Sequence, residues 1–141
     1  MKTLMLALLI STIGCAGSGT YDRAESIGPE VDAIMTELCA QTGRCYHVGP
    51  NPEIVVSVSD NLPENPDPTV RTMGYTWASG AIYVRPEARS DAALLRAVLL
   101  HEIGHANGLT HEDATCPDSV MFAQVHVENQ AFGTCDITNL R

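Results

Sequence analysis

Apolar residues recur along this chain in two rhythms. Val31, Ile34, Met35 and Leu38 fall three and four apart, one stripe of a helix predicted from Pro29 to Cys39, with proline at its tolerant first turn. Glu53 to Asp60 (EIVVSVSD) alternates instead and is rich in β-branched residues, which predicts a buried strand. Met73 to Ser79 (MGYTWAS), a Ser79-Gly80 turn and Ala81 to Arg85 (AIYVR) predict two further strands. A second helix follows: Ser90 is a good N-cap, Asp91 favours the positive helix end, and Ala92 to Leu100 are mostly strong helix formers. Between the strands, polar Asn61 to Asp67 with Pro63 and Pro66 reads as a loop.

Met1 to Gly14 follows another pattern, one lysine, an apolar run from Leu4 to Ile10 and then small residues, which is that of a secretory signal peptide. It is shorter than the roughly 20 apolar residues a spanning helix needs. Thr12-Ile13-Gly14-Cys15 resembles a bacterial lipobox, although Thr12 stands where leucine is usual, so Cys15 is a candidate site of lipidation and membrane attachment. Cleavage near Ala16-Gly17-Ser18, releasing a free secreted protein, is the alternative. Residues 15–26, with Gly17, Ser18, Gly19 and Thr20, read as a flexible tether, leaving 27–141 as one domain and an expected monomer. With 17 acidic against 8 basic residues and a formal charge of −9, the chain is not expected to bind nucleic acid.

The predicted second helix runs into His101-Glu102-Ile103-Gly104-His105-Ala106-Asn107-Gly108-Leu109-Thr110-His111, which reads H-E-x-x-H-x-x-G-x-x-H. Histidines four apart on a helix share one face and converge on a single metal. Gly108 tolerates positive φ, ends the helix in a sharp turn and returns His111 toward that metal. Three neutral imidazoles suit one Zn²⁺ with an open position for water. Glu102 directly follows the first ligand, as a general base for a zinc-bound water that attacks a peptide carbonyl would.

Ten residues beyond His111 stands Ser119-Val120-Met121-Phe122. Together with the elongated motif this resembles the metzincin clan of zinc metalloendopeptidases, in layout most the matrixins and small secreted bacterial metalloproteases, over Ile54 to Asp136. The resemblance implies an α+β zincin-like domain: a small twisted mixed sheet, an active-site helix and one other main helix. It also implies that Met121 is the turn methionine beneath the histidines and that Met73 to Ser79 is the sheet edge to which an extended peptide adds. Phe122, with the segment Cys116 to Gln124, would wall the substrate pocket, and Tyr75 and Trp77 would border it. The chain departs from the family in places. No propeptide switch cysteine is evident, Ala123 replaces a tyrosine some metzincins use, and Glu112 reads as a solvent carboxylate. The first strand of the fold is not evident either, and a C-terminal helix near Asp136-Ile137 would be about one turn.

Cysteines other than Cys15 number four in an exported chain and allow three pairings; Cys39 with Cys45 and Cys116 with Cys135 are preferred. The first would staple the end of a helix, the second the loop around the methionine turn. A four-cysteine zinc site lacks the C-x-x-C spacing it would need. Asp60, Glu64 and Asp67 are candidates for a structural calcium without a recognisable ligand spacing. His47 and His126 have no partner at ligand spacing and read as strand or surface residues, His126 near enough to the cleft to contact substrate. The expected protein is thus an exported zinc endopeptidase acting on peptide or protein, free or held to a cell envelope. The alternatives are a zinc-binding surface lipoprotein without proteolysis and a narrow cell-envelope peptidase or amidase.

Overall fold

A computed structural model of the chain describes residues 17–111 and 115–140. The leader, Cys15 and Glu112 lie outside the described residues. Strand β1 (Gly17–Arg23) leads through a 3₁₀ turn into helix α1 (Gly28–Thr42), then β2 (Arg44–Val48), β3 (Ile54–Val58), β4 (Gly74–Thr76) and β5 (Ala81–Val84). A second 3₁₀ turn precedes helix α2 (Ala92–Ala106), and α3 (Thr134–Leu140) follows the long segment beyond it. The five strands lie in the order β2-β1-β3-β5-β4, parallel except for β4, which runs antiparallel to β5 at one edge. The fold is the expected α+β domain with a mixed sheet.

Each predicted element is present with shifted ends. Val31, Ile34, Met35 and Leu38 of α1 are all buried, and Gly43 at φ 78 closes the helix by donating to the Cys39 carbonyl at 2.9 Å. In β3 and β5, Ile54, Val56, Ile82 and Val84 alternate into the core. Ser90 is not the cap of α2: its hydroxyl donates back to the Glu87 carbonyl, and the Asp91 carboxylate accepts from the amides of Ala93 and Leu94. A carboxylate fits that end better, because it meets both the free amides and the positive dipole.

Two expectations fail. The stretch taken for a flexible tether is largely β1, in parallel register with β2 from Gly17↔Arg44 to Tyr21↔Val48 and with β3 from Tyr21↔Ile54 to Arg23↔Val56. The C-terminal helix is seven residues rather than one turn, with Leu140 fully buried. Arg96 on α2 ties the helices together, its guanidinium reaching Glu30 and Glu37 of α1 at 2.6 Å each and the Gln130 carbonyl at 2.8 Å. Among the described residues no helix is long and apolar enough to cross a membrane.

Both preferred disulfides form, Cys39–Cys45 and Cys116–Cys135, which points to an oxidising, exported environment. Arg85, at 3% exposure, gathers the loop before β4 by donating to the carbonyls of Thr72 and Asp60 and to the Glu64 carboxylate. Asp67 accepts from Thr69 instead. The Glu64 and Asp67 carboxylates considered for calcium therefore serve other partners, and with Asp60 they do not form a group that could hold a metal ion among the described residues.

Candidate active site

Helix α2 presents His101 and His105 one turn apart, and the chain reverses at Gly108, whose φ of 91 is open to glycine. The amides of Gly108 and Leu109 donate to the carbonyls of His105 and Gly104 at 2.9 and 3.0 Å, and this brings His111 back over the helix. His105 Nε2 then lies 3.1 Å from His101 Nε2 and 3.2 Å from His111 Nε2.

Those three nitrogens fit a metal. The Nδ1 of His101 donates to the Val120 carbonyl at 2.8 Å and that of His105 to the Leu109 carbonyl at 2.9 Å, so each Nε2 carries a lone pair rather than a proton. Lone pairs aimed at one another at such distances repel unless a cation stands between them. Tetrahedral ligands at zinc–nitrogen distance are separated by about 3.3 Å, close to the spacing here. Burial lowers the His101 pKa to about 4, aided by its neighbour imidazoles, and also lowers that of His111, which favours the neutral form of these two rings. Among the described residues these three histidines are the only group of three or more that could hold a metal ion.

Met121 is fully buried against the bare backbone of Gly104, between the two helical histidines in sequence; a Cβ there would stand 2.5 Å from its sulfur. The segment carrying Met121 is held by Asp136, 1% exposed, which accepts from the Ser119 hydroxyl at 2.6 Å and from the amides of Val120 and Gly133 at 2.9 and 2.8 Å. Val120 in turn accepts from His101, so a carboxylate on α3 helps orient a candidate metal ligand on α2. Asp136 was not singled out from the sequence as a site residue; a lone acid after Gly133 carries no local signal of burial.

Glu102 is also buried, at 5% exposure, and burial raises its carboxyl to about 7 against the lowering effect of a hydrogen bond from Thr76. It opens onto a cleft of about 690 Å³ lined by Tyr75, Trp77, Thr76, the histidines and Val125 among others. A Matrixin family model matches residues 13–138. The chain belongs to the matrixin family. That family is one of zinc metalloproteases of metzincin type, whose members act on peptides or proteins, and the three-histidine group of this chain fits its zinc site. A search of the curated proteins finds no match.

The remaining predicted site residues of this matrixin divide. Tyr75 and Trp77 border the cleft, their rings edge to face at 4.9 Å, with Trp77 47% exposed. Phe122 is not among the lining residues. Its ring stacks on His126 at 4.6 Å, and Ala123, Gln124 and Val125 form the wall instead. His47 lies exposed in β2. Edge strand β4 is open to the cleft: Trp77 donates to Ala81 and Arg85 to Met73, so positions 73, 75 and 77 bond toward β5. Alternation then turns the backbone groups of Gly74 and Thr76 outward.

Proposed function

We propose that this matrixin is a zinc-dependent endopeptidase that binds its substrate extended along β4. The observation that carries the reading is the convergence of three imidazole nitrogens beside a buried carboxylate, in a cleft bordered by an open strand edge. His101, His105 and His111 would hold the ion; when bound, zinc supplies Lewis acidity that polarises a carbonyl oxygen and acidifies water. Glu102 takes the proton of the attacking water and delivers it to the leaving amine. Amides and carbonyls of Gly74 and Thr76 pair with the main chain of the peptide, which orients the scissile bond without demanding a particular sequence. Tyr75 and Trp77 border this track, and Met121 keeps the histidine face rigid from below.

Zinc stoichiometry and cleavage of a mixed peptide library, compared for the wild type and Glu102→Gln, test the reading. We expect one zinc per chain in both proteins, with cleavage reduced at least about 10²-fold in the variant. Zinc loading without cleavage in either protein overturns the peptidase reading and leaves a zinc-binding surface protein.

A further inference from the structure

We infer that Thr76 is a positioning residue for the general base, aiming the Glu102 carboxylate from the strand edge that takes the substrate; this rests on the peptidase reading above. Glu102 belongs to α2, but its carboxylate is held from β4. The Thr76 hydroxyl donates to Glu102 Oε2 at 2.6 Å and also lies 3.0 Å from the Glu102 carbonyl oxygen. Gly74 shares that face of the strand two residues earlier, and a Cβ there would stand 2.7 Å from both Oε1 and Cγ of Glu102. One carboxylate oxygen is thus tethered by a hydroxyl while the other rests against bare backbone. Two positions of one strand set the rotation of the group.

The tether is itself fixed. β4 is fastened to β5 at both ends by the Trp77–Ala81 and Arg85–Met73 bonds, each 2.8 Å, and the branched Cβ of threonine restricts χ1. A base contributes only while an oxygen lone pair points at the proton it removes, and a carboxylate left to rotate spends less time so aimed. Residue 76 also turns its own amide and carbonyl to the open edge, so the peptide and the base are aligned by the same backbone position.

Thr76→Val and Thr76→Ser, made in the full chain and loaded with zinc, test this on a peptide the wild type cleaves. The valine variant should lose about 10- to 100-fold in kcat, the value of one hydrogen bond to a charged acceptor. Its KM and its zinc affinity should stay within about threefold of wild type, and serine should restore kcat to the same margin. A crystal structure of metal-free Thr76→Val should show the Glu102 carboxylate rotated away from position 76. Should valine prevent folding, Thr76→Ala, which removes the hydroxyl without adding a buried methyl, makes the same comparison. Full kcat in the valine or alanine variant, serine as impaired as valine, a loss carried by KM or zinc affinity, or an unrotated carboxylate overturns the inference. A wild type that cleaves beside an equally active valine variant overturns this inference alone; a zinc-loaded wild type that cleaves nothing overturns the peptidase reading with it.

Discussion

At Gly104 a methyl group has no room, and at Gly108 it has ample room but the wrong backbone. A Cβ on Gly104 would meet the Met121 sulfur at 2.5 Å and a Leu109 methyl at 3.4 Å, with Met121 fully buried and unable to swing away. Nothing lies within 4 Å of the same atom on Gly108, whose φ of 91 is nonetheless a backbone that L side chains rarely adopt. Gly104→Ala should therefore cost about 1–3 kcal/mol through overpacking and weaken zinc binding, because Gly104 lies on α2 between His101 and His105. Gly108→Ala should cost about 1–2 kcal/mol through backbone strain. The two causes separate with asparagine, which tolerates left-handed backbone: in thermal unfolding Gly108→Asn should recover most of the loss, and Gly104→Asn should be worse than alanine. Equal responses at the two positions would refute the distinction.

Among the elements, β1 is joined to α1 by a polar tie. The Tyr21 hydroxyl donates to Asp32 on α1 at 2.6 Å, and Arg23 makes two parallel bonds of 2.8 Å to the same carboxylate. Burial, reinforced by Asp32, raises the Tyr21 phenol from 10.0 to about 12, and the Arg23 bonds hold Asp32 below its ordinary 3.8. The contribution of Tyr21 is intact below pH 10 and is lost between 10 and about 12, where the unfolded chain ionises first; that of Asp32 is intact above 3.8 and is lost as acid passes its lowered value. Between pH 10 and 12 the melting temperature of the wild type should thus fall more steeply than that of Tyr21→Phe, and parallel curves would refute the assignment. The same strand marks where sequence reasoning stopped. GSGTYDR offers one large apolar residue, so no period betrays it. It is a strand because β2 and β3 bracket it, and Gly19 is small because a Cβ there would touch the Tyr46 ring at 2.6 Å. Helix α3 was underestimated for a similar reason, since its hold comes from Asp136 and a disulfide rather than from a stripe. Helix α2 and its ligands were legible because imidazoles four apart converge by helix geometry alone. Phe122 was misplaced because nearness to the methionine turn in sequence does not give the path of the loop, which turns that ring onto His126.

For the whole molecule, the two disulfides restrain different things. Cys39–Cys45 spans 6 residues and closes the corner between α1 and β2; Cys116–Cys135 spans 19 and joins α3 to the segment that carries the methionine turn. By loop-closure entropy the shorter is worth about 2 kcal/mol and the longer about 3 kcal/mol. Those sums are a large share of the marginal stability of a domain this size. Their positions matter more than their magnitudes. Ser119 follows Cys116 by three residues and Asp136 adjoins Cys135, and these two are hydrogen-bonded to each other and to the Val120 segment that receives His101. Replacing Cys116 and Cys135 by alanine should lower the melting temperature more than replacing Cys39 and Cys45, and it alone should weaken zinc binding, as measured by competition with a chelator. If both pairs of substitutions weakened zinc equally, the long bridge would be acting only on the unfolded chain. A selective loss would place it in the support of the metal centre, through α3 and Asp136 to the first histidine.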